Sequence, residues 1–268
     1  MKFEALIRDT LLEIRASSLM MFYAVFAIGI LVVEMFFLGQ SSSMHMNING
    51  NEVNASGGSA IARMFLPAAA LFLAKVLGLF TLFGMSDVMT PVLTRGTAEV
   101  YLSKPVPRWF LLLARLTGHA VAMLIALVVT LAAIFLVAGA RVGVWDARIF
   151  ASIAPAMLNI VVYLSVLTLS NILTGSSGVS GLLGFGVLML ASALRFHDVL
   201  ANLFTNVLWR DTVKVLYVIC PKPQEIEDGI TTLMTGHGAF PWFAAGTSVA
   251  FAAACVAVAI AIFRRRDY

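Results

Sequence analysis

Charge is what this sequence has least of. Asp, Glu, Lys and Arg make up 12% of its 268 residues, against 60% apolar residues, whereas a soluble domain is about 25% charged and about 45–50% apolar. That leaves too little polar surface to coat a water-soluble globule, and a chain so apolar is not disordered either. Cysteine is nearly missing. Cys220 and Cys255 make neither a disulfide framework nor a zinc site. No Gly-Lys dipeptide occurs, which removes the phosphate-binding G-x-x-x-x-G-K-[ST] loop. The N-terminus also lacks the short apolar core followed by small residues that marks a cleavable secretory signal. What remains is an all-α, polytopic membrane protein, read as a single transmembrane domain over 1–268.

A spanning helix needs about 20 predominantly apolar residues. Six segments answer: 18–39, 64–85, 119–139, 150–172, 178–194 and 240–263. The fifth is the shortest and is rich in glycine. Residues 1–16 differ in kind. Phe3, Leu6, Ile7, Thr10, Leu11 and Ile14 recur at helical spacing, while Lys2, Glu4, Arg8, Asp9, Glu13 and Arg15 fill the other face. That pattern predicts a helix lying in the membrane interface before the first span.

Basic residues set the orientation. Six spans place both termini on one side. That side carries ten Lys and Arg against six acids, and the other side carries seven of each. The whole net charge of +4 therefore lies on the face with the termini, which is assigned as cytoplasmic. Residues 40–63 are rich in Ser, Asn and Gly and read as an exposed outer loop. Residues 195–239 mix Phe196, Val199, Leu203 and Leu208 with Arg195, Arg210, Asp211 and Lys214. Charge at that density is costly in a span, so an interfacial or partly re-entrant helix is expected, followed by a turn at Cys220-Pro221-Lys222-Pro223.

The loop between the second and third spans, 86–109, carries the most information. Thr94 to Ser103 suits a short helix with Gly96 near its start, which Pro105 and Pro107 would stop. Arg95, Glu99 and Lys104 give it a charged face, and Val100, Tyr101 and Leu102 supply contact surface. Gly96-Thr97, then Leu102-Ser103-Lys104-Pro105-Val106 and Arg108, resembles the first cytoplasmic loop of the membrane subunits of type-2 ATP-binding-cassette exporters. The order of elements is similar too: an N-terminal "elbow" helix, six spans, a long outer segment before span six, and the basic end Phe263-Arg264-Arg265-Arg266-Asp267. Arg95 departs from the pattern, since an acidic residue is commoner before the Gly-Thr.

The resemblance implies a permease that dimerises with a second copy or a paralogue in the bacterial inner membrane. Each half would dock a separate ATPase through the elbow (Arg8, Glu13) and a cytoplasmic coupling helix within 90–104 (Arg95, Gly96, Thr97, Glu99, Tyr101, Leu102). ATP and Mg²⁺ would sit on that partner. This chain would hold no cofactor, carry no catalytic residue and bind no nucleic acid. Closure of the ATPases would then move substrate outward by alternating access.

Two charges fall inside spans, Glu34 and Lys75, and such residues mark candidate substrate paths. At about 1.5 Å per residue their depths differ by about 12 Å, too far for a pair. Glu34 is expected to reach the outer interface, and Lys75 to face the bundle interior or a polar cavity. An ATP-independent carrier would show paired intramembrane charges and broken helices in two related halves, neither of which is visible. A rhomboid-like protease is suggested by Gly178-Val179-Ser180-Gly181, but its serine needs a histidine at matching depth. His119 alone qualifies, and the glycines more simply serve close helix packing. Met44-His45-Met46 is too slight a cluster to make a copper site. Trp109, Trp145, Trp209 and Trp242 fall at proposed membrane boundaries, as an aromatic belt would.

Overall fold

A computed structural model describes residues 2–16, 18–39, 45–48, 51–54, 58–90, 107–203 and 206–265. Helix α1 (Lys2–Ala16) precedes α2 (Ser18–Gly39), and α3 (Gly58–Gly84) follows a two-stranded antiparallel hairpin. That hairpin pairs β1 (His45–Ile48) with β2 (Asn51–Asn54) within the segment read as an outer loop. Helices α4 (Arg108–Val142), α5 (Ile153–Thr174) and α6 (Ser177–Leu194) come next, with a 3-10 turn over Ala147–Ser152 before α5. Three shorter helices fill the outer segment: α7 (His197–Leu203), α8 (Val207–Ile219) and α9 (Pro223–Thr235). Helix α10 (Trp242–Arg265) closes the chain's described part.

Among the described residues, five stretches are long and apolar enough to cross a membrane, and α2 contributes a further apolar stretch, Tyr23–Met35. The chain is thus an all-α, multi-pass membrane protein. Within lipid no hydrophobic force drives helix against helix, so close packing and polar pairs must do it. Both are present. The Tyr23 hydroxyl donates to the Ala126 carbonyl at 2.9 Å and lies 2.6 Å from Thr130 Oγ1, tying α2 to α4. Gly78 lets the Tyr163 ring sit where a β-carbon would be 2.9 Å from Cε2, bringing α3 against α5. Helix α5 is the most enclosed element, with Ile160, Leu164, Leu167 and Asn171 all buried.

Helix α4 is longer than its span. Its 35 residues make about 52 Å of helix, against a hydrocarbon core of about 30 Å. It begins at Arg108, eleven residues ahead of the expected span. Nothing between 108 and 119 breaks a helix: Leu111, Leu112, Leu113, Ala114 and Leu116 are strong helix formers, and Pro107 sits at the N-cap. The projecting turns are what α1 packs on.

The outer segment forms a helical hairpin, the partly re-entrant form of the two expected. Helix α8 leads to a turn at 220–222, and α9 rises from it. Depth follows from neighbours. Met234 and Thr235 at the upper end of α9 border the same pocket as Leu66 and Pro67 of α3, whereas Glu227 meets Lys75, nine residues deeper along α3. At the turn, the Lys222 amide donates to Ser248 Oγ (3.0 Å) and its ammonium to Thr247 Oγ1 (3.0 Å), both on α10. The Asn159 amide donates to the Pro223 carbonyl at 3.0 Å, fixing the same turn to α5.

Candidate functional site

The end of the bundle that carries α1 is held by three polar clamps. Glu13 of α1 pairs with Arg115, which lies on the projecting part of α4 and is buried there. Two turns of fit accompany the pair: a β-carbon on Gly118 would stand 2.8 Å from Thr10 Cβ, so α1 and α4 touch almost backbone to side chain. Beneath the pair lies a cavity of about 60 Å³ bordered by Glu13, Tyr23, Asp87 and His119. Arg8, on the same helix as Glu13, is exposed.

The other two clamps hold the chain on either side of residues 91–106. Before that segment, Thr90 Oγ1 donates to Asn171 Oδ1 (2.6 Å), and Asn171 Nδ2 donates to the Ser86 carbonyl (2.8 Å). After it, Arg108 Nη1 donates to the Phe263 carbonyl at 3.5 Å, beside Arg264 and Arg265 at the end of α10. The entry is therefore fixed to α5 and the exit to α10. Arg95, Gly96, Thr97, Glu99, Tyr101 and Leu102 lie outside the described residues, as does Met44 of the outer loop. Sequence reading found the elbow but missed Asn171 and Arg115, because an Asn at the end of an apolar run gives no sign of its partner.

Deeper in, the two intramembrane charges do not meet, and neither is free of surprise. Lys75 Nζ lies 2.8 Å from Glu227 Oε2, a partner contributed by α9 and not by another span. Paired charge at span depth, invisible along the sequence, is therefore present, although Lys75 itself is half exposed and not turned into the bundle interior as expected. Glu34 departs from expectation. It is fully buried, and among the described residues neither of its oxygens has a hydrogen-bond partner. The reason is helix rotation: Tyr23, Ile30 and Glu34 share the face that α2 turns inward. An α2 apolar on every side does not announce which face that is.

The re-entrant hairpin has its own polar node. The Lys222 ammonium sits 4.5 Å from the Tyr217 ring centroid and 5.1 Å from that of Phe243. It also donates to the Cys220 carbonyl (3.3 Å), near the end of α8. Burial pushes this lysine down from its ordinary range. The Tyr217 hydroxyl is pushed up to about 12, first by burial and then by the Glu225 carboxylate to which it donates at 2.9 Å. His197 stacks on the other face of Tyr217, 3.7 Å between centroids.

The protease constellation is not assembled. Ser180 Oγ donates to the Ser176 carbonyl at 2.7 Å, and His119 Nδ1 lies 2.8 Å from the Arg115 carbonyl, so each group is engaged with its own helix. The neighbouring Gly184 lies where a β-carbon would be 2.9 Å from Leu82 Cδ2 and 3.2 Å from Leu167 Cδ2, a packing position between α3 and α5.

The fold is that of a multi-pass helical membrane bundle with its N-terminal helix clamped to α4. The family model described as ABC-2 family transporter protein matches residues 13–268, so the chain belongs to that family. No curated protein matches it.

Proposed function

We propose that this ABC-2 permease subunit is the membrane half of an ATP-driven exporter, docking a separate ATPase through α1 and the 91–106 segment. What supports the reading most is the triple clamp. Lever action needs a stiff connection, and polar side chains fix α1 and both ends of 91–106 to α4, α5 and α10 at one end of the bundle. Movement delivered to that end passes into three helices at once.

In this reading Arg95, Gly96, Thr97, Glu99, Tyr101 and Leu102 meet the ATPase, as does Arg8 on the elbow. ATP and Mg²⁺ sit on the partner. The assembly holds two permease copies, or one copy and a paralogue, in the inner membrane with both termini cytoplasmic. Substrate crosses by alternating access along a path that includes Lys75 and Glu34. Co-purification of the affinity-tagged chain with the ATPase encoded beside it tests this directly. Wild-type chain should retain the ATPase, and Glu99→Arg or deletion of 94–102 should release it. Retention by both variants overturns the docking claim.

One observation favours a second reading. The Lys75–Glu227 pair meets one demand of an ATP-independent carrier, though Glu227 comes from a re-entrant helix and not from an inverted half. Transport that survives deletion of the ATPase gene would establish that alternative.

A further inference from the structure

The exposed face of α3 recurs every three to four residues: Met64, Ala68, Phe72, Lys75, Leu79 and Phe83. Five of these are apolar and suit lipid as well as any cavity. Lys75 does not. Its side chain keeps 51% of its surface open even while paired with Glu227, whose own exposure is 9%. It sits nine residues before the end of α3, about 14 Å from that end, beyond what a lysine stem spans on its way to an interface. The ion pair with α9 further holds it at that depth. A half-open ammonium at such a position is not stable against hydrocarbon, so the face it stands on meets water.

The charge on that face is of one sign. Glu227 is enclosed by α9 and its neighbours, and no carboxylate shares the exposed stripe of α3. Ala68 and Phe72, on the same stripe of α3 and within two turns of Lys75, form one wall of a groove of about 560 Å³ between α2 and α3, whose other lining residues include Val25, Phe26 and Val33. A cation next to an apolar trough fits a ligand with an anionic group and an apolar body.

We propose that Lys75 and the α2–α3 groove form an anion-selective binding site on the transport path, and that the ligand's anionic group replaces Glu227 at the Lys75 ammonium. Exchange of that kind loosens α9 from α3 as the ligand arrives, so cargo entry and release of the re-entrant hairpin become one event. The inference rests on the permease reading above and adds the chemical class of the cargo.

Thiol labelling tests it without knowing the cargo. Cys220 and Cys255 are replaced by serine, Phe72→Cys or Leu79→Cys is introduced, and the chain is reconstituted with its ATPase in vesicles. Labelling rates are compared for anionic and cationic methanethiosulfonates of equal size. A positively charged, water-filled site should favour the anionic reagent by about tenfold or more. Lys75→Gln should abolish that preference, and Glu227→Gln should enlarge it. Laurate, an anion with an apolar tail, should slow labelling at position 72, and dodecylamine should not. Failure of both reagents at both positions means the face is covered by lipid or protein and overturns the proposal. So does labelling without charge preference, or a preference that Lys75→Gln leaves intact. ATPase co-purification, followed in every variant, reports separately on the permease reading: loss of labelling with the ATPase retained sinks the anion site alone.

Discussion

Two partners in one ion pair need not matter equally to the fold. Glu227 is nearly enclosed and Lys75 is half open. Removing the lysine strands a buried carboxylate, whereas neutralising the glutamate strands an ammonium that still reaches water. Lys75→Met should therefore lower stability by about 1–3 kcal/mol, the desolvation penalty of an orphaned buried group. Glu227→Gln should cost less than about 1 kcal/mol, as for an exposed pair. Thermal unfolding midpoints of the purified chain in one detergent give the comparison, and a larger drop for Glu227→Gln contradicts the assigned burial. Lys222 makes a related case. Its ammonium caps the carbonyl end of α8 and binds Thr247 of α10, so Lys222→Met should free the hairpin and expose residues 207–219 to proteolysis ahead of the rest.

Among elements, the contact of α1 with the projecting turns of α4 decides whether the elbow is a rigid part of the bundle. Gly118 is the position of closest approach, with no room for a β-carbon against Thr10. Gly118→Ala should push α1 away and weaken the Glu13–Arg115 pair, reducing ATPase co-purification several-fold without loss of the folded spans. Thr10→Gly in the same chain removes the obstructing atoms and should restore retention. If Gly118→Ala alone behaves as wild type, the elbow is not held by this contact. Helix α8 shows the opposite situation. None of its residues is buried, and Leu208, Trp209, Val215 and Ile219 are open. In a membrane protein such a face is served by lipid, which lets this amphipathic limb of the hairpin carry Arg210 and Lys214 on another side.

For the molecule as a whole, the proposed topology with both termini cytoplasmic predicts a labelling map. Single cysteines at 8, 99 and 264 should react with impermeant reagent only from the cytoplasmic side of oriented vesicles. Cysteines at 146 and 237, which flank the opposite end of the bundle, should react only from outside. Position 99 reacting from outside would reverse the topology and remove the docking face. Ser180→Ala should leave transport unchanged, because the Ser180 hydroxyl is engaged with a backbone carbonyl; loss of activity with the chain still folded would reopen the hydrolase reading.

How much of this was written in the chain order follows from what each signal measures. Apolar run length against bilayer thickness determines that the chain crosses the membrane several times, and the periodicity of 1–16 determines an amphipathic helix, because both are local properties of one segment. The order of elements around Gly96-Thr97 and Leu102-Ser103-Lys104-Pro105 was enough to reach the family. Which face of each span turns inward was not legible: with lipid as apolar as the core, α2 has no polar stripe to mark its lipid side, so Glu34 ended up buried and not at the interface. Nor could sequence distance foretell that Glu227, 152 residues away, answers Lys75. That pairing depends on α9 folding back into the bundle, and only the packing of α3, α5 and α10 around the hairpin decides how deep it goes.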